Sequence, residues 1–196
     1  MPNNPTRDQI VDAADVLFYE NGYEHTSFSQ IAKTVSISRG NFYYHFKTKD
    51  AILAAVIERR LENTRKMLED WEQKGDSPET RIRCFIQILI QNQEKILRFG
   101  CPVGTLTTEL SKLKHVNLTE ASKVFTLFRV WLGRQFEALG FASRADYFAM
   151  QLLARSQGIA TLASAFNDQQ YIAQEVDSLN SWLSTAIARL SINESD

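Results

Sequence analysis

Seventeen residues near the start of the chain concentrate the groups most able to do chemistry on a polyanion. Residues 33–49 carry Lys33, Arg39, Lys47 and Lys49 and no acid, interleaved with Phe42, Tyr43, Tyr44, His45 and Phe46. Cations and hydrogen-bonding aromatics clustered in this way suit contact with phosphates. Arg39 has the fork that pairs with guanine O6 and N7, and Asn41 the amide that pairs with adenine N6 and N7. Tyr43, Lys47 and Lys49 suit phosphate contacts, which fix register without reading sequence. On charge alone, a solvated loop with a chance excess of cations is an equal reading.

The preceding segment is the reverse. Residues 1–32 hold one cation, Arg7, and five acids, Asp8, Asp12, Asp15, Glu20 and Glu24. The formal net charge of −1 therefore hides a −4 segment followed by a +4 segment.

These groups need elements to position them. Ile10, Val11, Ala14, Leu17 and Phe18 form a helical stripe from about Arg7, with Gly22 placed for a left-handed cap. Ser27 and Gln30 have capping-box spacing and open a second, short helix ending near Lys33. Ser38 then caps a third helix to about Phe46. Two short helices joined by a tight connector are a helix-turn-helix, whose second helix enters the major groove. Ile31, Ala32, Val35, Ile37 and Phe42 are its expected core, with Phe46 packed against the rest of the chain.

The remainder also reads as helices. Thr48 caps one running to about Lys74, and Gly75 ends it; Ser77 and Pro78 open the next, expected to continue through Ile96. Others are expected near residues 106–113, 118–139 and 143–166, the last with Ser143 as its cap, and near 171–190. The fold class is therefore all-α, with about nine helices: a three-helix head at residues 1–47 and a larger helical body at 48–196.

Composition agrees. Gly and Pro total 12 of 196 residues, too few for the many tight turns of a sheet protein. At 44% hydrophobic and 23% charged, the chain has a core-forming rather than a disordered composition. No apolar run is long enough to span a bilayer, and "MPNNPTRDQ" lacks the apolar region of a secretory signal, so a cytoplasmic location with no membrane partner is expected. Cys84 and Cys101 are too few for a disulfide framework, and His25, His45 and His115 are scattered, so neither metal nor cofactor is expected. No nucleophile elbow, P-loop, dinucleotide fingerprint or zinc-protease motif occurs, which speaks against an enzyme and leaves no catalytic residues to name.

The stretch "SFSQIAKTVSISRGNFYYHFKTKDAIL" resembles the DNA-binding signature of the TetR family of bacterial transcriptional regulators. Ile31, Ala32, Ser38, Gly40, Phe42, Tyr43, His45, Phe46, Lys49 and Leu53 stand at matching positions, and the close likeness covers roughly residues 8–53. Ser27 stands where the family usually has Thr, keeping the hydroxyl. Ser36 stands where it usually has Gly, at a connector position where positive φ would cost a non-Gly residue about 1 kcal/mol. The DNA-binding set read from residues and resemblance together is Ser27, Ser29, Arg39, Gly40, Asn41, Tyr43, Tyr44, His45, Lys47 and Lys49.

The resemblance further implies a homodimer formed by the last two long helices and a small-molecule effector bound in the body. Ala149, Ala154, Ser156, Gly158, Ala160 and Ala163 are small enough for close helix approach. The expected interface is Ala154, Gly158, Leu162, Leu179, Trp182, Leu183 and Ile187; a monomeric bundle core explains the same pattern. Phe85, Leu89, Phe99, Cys101, Phe125, Phe128 and Trp131 are the candidate effector residues, although aromatic-rich helices are also ordinary core.

The expected function is that of a dimeric repressor on a palindromic duplex operator, released by the effector. One alternative is a redox- or electrophile-responsive regulator acting through Cys101, whose segment "GCPVGTLTTEL" resembles one found in some TetR-like regulators. A second is a helical protein-binding module without DNA binding.

Overall fold

The computed structural model describes residues 5–193, with side chains to residue 190, and contains no strand among them. Ten α-helices follow one another: α1 (Pro5–Asn21), α2 (Phe28–Thr34), α3 (Arg39–His45), α4 (Lys49–Lys74), α5 (Pro78–Gln91), α6 (Gln93–Phe99), α7 (Pro102–Lys112), α8 (Leu118–Phe136), α9 (Ala145–Phe166) and α10 (Gln169–Asn193). A π-helical turn (Glu137–Phe141) and a 3-10 turn (Ala142–Arg144) link α8 to α9.

Local chemistry sets most of these borders. Ser27 Oγ accepts the Gln30 N–H while the Gln30 side chain accepts the Ser27 N–H, closing the capping box of α2. Ser38 Oγ accepts the Asn41 N–H at the head of α3, and Ser77 Oγ accepts the Thr80 N–H before Pro78 in the first turn of α5. Gly22 ends α1 at φ 84°, and Gly140 breaks the π-helical turn at φ 95°.

Two borders differ from expectation. The helix expected to run from Ser77 through Ile96 breaks at Asn92, so the described residues hold ten α-helices where about nine are expected. The apolar stripe continues across the break, as buried Leu89 and Ile96 show, so periodicity conceals it. Ser143 does not cap α9. Ala142 turns left-handed at φ 43°, residues 142–144 form the 3-10 turn, and Arg144 occupies the cap position without a side-chain bond.

The chain forms two compact units: residues 1–64 with 102–124, and residues 65–101 with 125–196. They do not follow the boundary expected at 47/48, because the head shares its unit with the first part of α4, with α7 and with the start of α8. α4 and α8 each contribute residues to both units.

In the first unit, α1 packs on α2 and α7. Ile10, Ala14, Ile31, Phe42, Ile52, Leu53 and Val56 are completely or almost completely buried there. Three acids of α1 face cations of α4. Arg59 pairs with Asp8 (2.5 Å) and Asp12 (2.8 Å), and Arg60 with Asp15 (2.6 Å). Arg60 also donates to the Pro102 carbonyl at 2.7 Å. Three acids of the −4 segment are thus matched within the unit.

The second unit is built from α5, α6, α9 and α10 together with the adjoining parts of α4 and α8. Phe85 meets Phe128 edge-on at 5.4 Å, and Phe136, Phe141, Phe148 and Trp182 form an aromatic cluster with centroid separations of 4.3–6.3 Å. Gly75 is required by space, since a Cβ there would lie 2.6 Å from Arg81 Cγ.

Candidate nucleic-acid interface

One buried side chain anchors α3 and most of the others are exposed. Phe42 is completely buried, with its ring 4.6 Å edge-on from Phe28, whereas Arg39, Gly40, Asn41, Tyr43 and Tyr44 are exposed. In a helix of seven residues this anchors the inward face and turns the guanidinium and carboxamide outward. Tyr43 leans on Phe28 at 5.0 Å, and the Arg39 guanidinium lies 5.6 Å over the Tyr43 ring. Tyr44, 77% exposed, meets half-buried His45 edge-on at 5.2 Å. Ser27, Ser29 and Lys47 are exposed as well, and the Ser27 oxygen is already engaged in its cap. A Cβ on Gly40 would meet nothing within 4 Å. Phe46 is buried, as expected, with the Arg7 guanidinium 5.3 Å from its ring.

Ser36 takes φ 54° in the connector, the left-handed conformation anticipated for this position. Of the expected head core, Ile31 and Phe42 are buried, while Ala32, Val35 and Ile37 are half-buried.

Lys49 departs from expectation. Its ammonium donates to the carbonyls of Tyr23 (2.9 Å) and Glu24 (3.3 Å) and sits 4.3 Å over the Tyr23 ring. Two of its three N–H bonds serve the loop after α1, so its place is structural rather than among the free phosphate-facing cations.

That loop is held from several sides by residues the sequence did not single out. Glu109 of α7 accepts the N–H of Tyr23 at 2.9 Å and of Glu24 at 2.8 Å. Thr26, buried, donates to the Gly22 carbonyl at 2.7 Å. The Tyr23 hydroxyl donates to Asp50, and its ring meets His115 edge-on at 5.1 Å. Burial and the Asp50 carboxylate push the Tyr23 phenol well above its usual pKa. Only the helical spacing around Gly22 hinted at this cluster, because its partners lie far away in sequence.

In the second unit the expected effector residues separate. Phe85, Leu89, Phe128 and Trp131 are buried on α5 and α8, with Trp71 5.6 Å from Trp131. The Trp131 indole N–H has no hydrogen-bond partner among the described residues. Phe125 instead lines an open groove of about 330 Å³ with Thr126, Arg129, Met150, Leu153, Ala154 and Gln157. Arg129 pairs with Asp146 through two 2.7 Å bonds, and holds that carboxyl below its ordinary pKa. Phe99 and Cys101 are half-buried, and neither Cys84 nor Cys101 is in a disulfide.

The expected dimer residues also divide. Leu179 and Leu183 are fully buried within the single chain, where α10 packs on α5 and α9, so they are part of its own core. Trp182 is half-buried in the aromatic cluster, with Arg155 5.6 Å from its ring, and Ile187 is half-buried. Ala149, Ser156, Ala160 and Ala163 likewise face the protomer's own interior. Ala154, Gly158 and Leu162 face outward, and with Met150 and Phe166 they form an exposed stripe at intervals of four residues along α9.

Among the described residues no helix is long and apolar enough to cross a membrane. No group of three or more His, Cys, Asp or Glu residues among them is placed to hold a metal ion.

Residues 10–56 match the family model described as "Bacterial regulatory proteins, tetR family". An uncharacterized HTH-type transcriptional regulator in the lacX 3′ region of Lactococcus lactis subsp. lactis is 26% identical over 178 residues, 89% of this chain and 91% of that protein. The HTH-type transcriptional regulator UidR of Escherichia coli K12 is 41% identical over 69 residues, 33% of this chain and 35% of its own. A solved TetR transcriptional regulator from Legionella pneumophila shares the fold with a TM-score of 0.80, at 24% identity, over 95% of this chain and 99% of that one. Residues 10–56, with a helix-turn-helix whose outward face carries Arg39 and Asn41, thus match the DNA-binding head of the TetR family of bacterial transcriptional regulators, and the chain as a whole is similar in sequence and fold to such regulators.

Proposed function

We propose that the protein is a homodimeric repressor that reads an inverted-repeat operator through α3 and leaves it when a small molecule binds the body. The observation that carries the DNA reading is the division of α3: Phe42 is wholly buried while Arg39, Gly40, Asn41, Tyr43 and Tyr44 are exposed. Arg39 and Asn41 read base edges, with Arg39 paired to a guanine and Asn41 to an adenine. Gly40 lets the backbone come close to the duplex. Tyr43, Tyr44, His45, Lys47, Ser27 and Ser29 contact phosphates and sugars. Asp8, Asp12 and Asp15 of α1 are matched by Arg59 and Arg60, which lessens their repulsion of the duplex.

The exposed stripe Met150–Ala154–Gly158–Leu162–Phe166 supports the dimer, because isolated soluble proteins seldom expose a continuous apolar row of this length. A two-fold pair of heads spaced about 34 Å apart meets successive major grooves on one face of the duplex. The aromatic group Phe85, Phe128 and Trp131, with its unpartnered buried indole N–H, supports effector binding by an apolar molecule with a hydrogen-bond acceptor. Such a molecule acts only if it binds the DNA-released conformation more tightly than the DNA-bound one.

The test is selection of duplexes from a random-sequence pool by the purified protein. The reading predicts enrichment of one inverted repeat with half-sites about 10 base pairs apart or a multiple of it. Failure to enrich any sequence contradicts it.

A further inference from the structure

The end of α7 and the turn that follows it form a second basic surface on the unit that carries the head. Lys112, Leu113, Lys114 and Val116 are all exposed there, and neither lysine has an ion-pair partner among the described residues. The turn is locally fixed. Lys114 sits left-handed at φ 49°, its N–H reaches the Ser111 carbonyl at 3.1 Å, and the His115 N–H reaches the Leu110 carbonyl at 2.9 Å. His115 Nδ1 accepts the Asn117 N–H at 3.1 Å.

Two contacts dock this turn on the head. The His115 ring stands edge-on to Tyr23 at 5.1 Å, and its Nε2 lies 3.7 Å from Asp50. Asp50 follows Lys49 and Thr48 at the start of α4, only a few residues beyond Lys47 and the end of α3. Glu109 receives two backbone N–H groups, and Asp50 receives the Tyr23 hydroxyl.

We propose that Lys112 and Lys114 bind the phosphodiester backbone of duplex DNA flanking the bases that α3 reads, a contact surface outside the helix-turn-helix. This rests on the DNA-binding reading above. Flexible ammonium groups on a fixed turn act as point charges toward phosphate and impose no base preference. Their contribution is therefore release of counterions, equal on operator and unrelated duplex.

The experiment is a salt titration of binding by fluorescence anisotropy, using the selected operator and an unrelated duplex of the same length. The double variant Lys112→Gln, Lys114→Asn removes both charges, and Asn tolerates the left-handed position. A charge-preserving pair, Lys112→Arg with Lys114→Arg, is the control. The slope of log affinity against log salt should become shallower by about 1.8 in the neutral variant on both duplexes, since each phosphate contact contributes about 0.9. The arginine pair should keep the wild-type slope. Matching helical content and urea midpoints establish that the variants are folded. An unchanged slope in the folded neutral variant overturns the proposal and leaves the DNA reading intact. Absence of wild-type binding to any duplex overturns both.

Discussion

Glu109 holds Tyr23 by its backbone, accepting that residue's N–H at 2.9 Å across a separation of 86 residues. The same carboxylate takes the Glu24 N–H, and Lys49 takes the carbonyls of both residues. The backbone donors and acceptors of Tyr23 and Glu24 are thus matched by one anion from α7 and one cation from α4. The Gly22 position is shaped by the same contact: a Cβ there would come within 3.2 Å of the Glu109 carboxylate, at φ 84°.

Glu109→Ala should therefore destabilise the protein by about 1–3 kcal/mol, chiefly the cost of leaving the part-buried Tyr23 N–H without its charged acceptor. Urea unfolding followed by circular dichroism checks this. Glu109→Gln, which keeps one acceptor oxygen, should recover part of the loss.

Ser36 offers the opposite case. It is held at φ 54° without glycine's freedom, so Ser36→Gly should stabilise the fold by up to about 1 kcal/mol, net of glycine's greater entropy when unfolded. A thermal denaturation midpoint a few degrees higher, with operator affinity within about twofold of wild type, is the expected result.

Gly40 should dissociate stability from binding. Its Cβ direction is open, so Gly40→Ala should raise stability by up to about 1 kcal/mol through helix propensity. Operator affinity should nevertheless fall by about tenfold or more, the equivalent of at least about 1.4 kcal/mol, because the added methyl meets the duplex. Unfolding and anisotropy titrations on the same preparation separate the two effects.

Leu162 and Leu183 should behave differently even though both are leucines on apolar stripes. Leu162 is 43% exposed and Leu183 is fully buried. Leu162→Glu should leave a folded monomer in sedimentation analysis. Leu183→Ala should cost about 2–5 kcal/mol of protomer stability through the cavity it opens.

What the sequence disclosed and what it withheld follow from the range of the interactions. The Ser27, Ser38 and Ser77 caps were legible because donor and acceptor lie three residues apart. The left-handed Ser36 was legible because a family that usually places Gly there marks a backbone requirement. The break at Asn92 was hidden by an apolar stripe that runs across it. Leu179 and Leu183 were assigned to the interface because periodicity says that a face is buried and not what buries it. Lys49 had the right charge at the right place, but its donors go to carbonyls of a loop 25 and 26 residues earlier. The Tyr23, Glu109 and His115 cluster is long-range in sequence and left no local signature.

The proposed operator reading depends on Arg39 pairing with a guanine from the open face of α3. The most direct measurement compares wild type and Arg39→Ala on the selected operator and on operators carrying each G·C to A·T change in the half-site. Wild type should lose about 1–3 kcal/mol at one such position, and Arg39→Ala should bind that changed operator and the original equally. If Arg39→Ala keeps the wild-type discrimination at every position, α3 does not read the operator through Arg39 and the central claim fails.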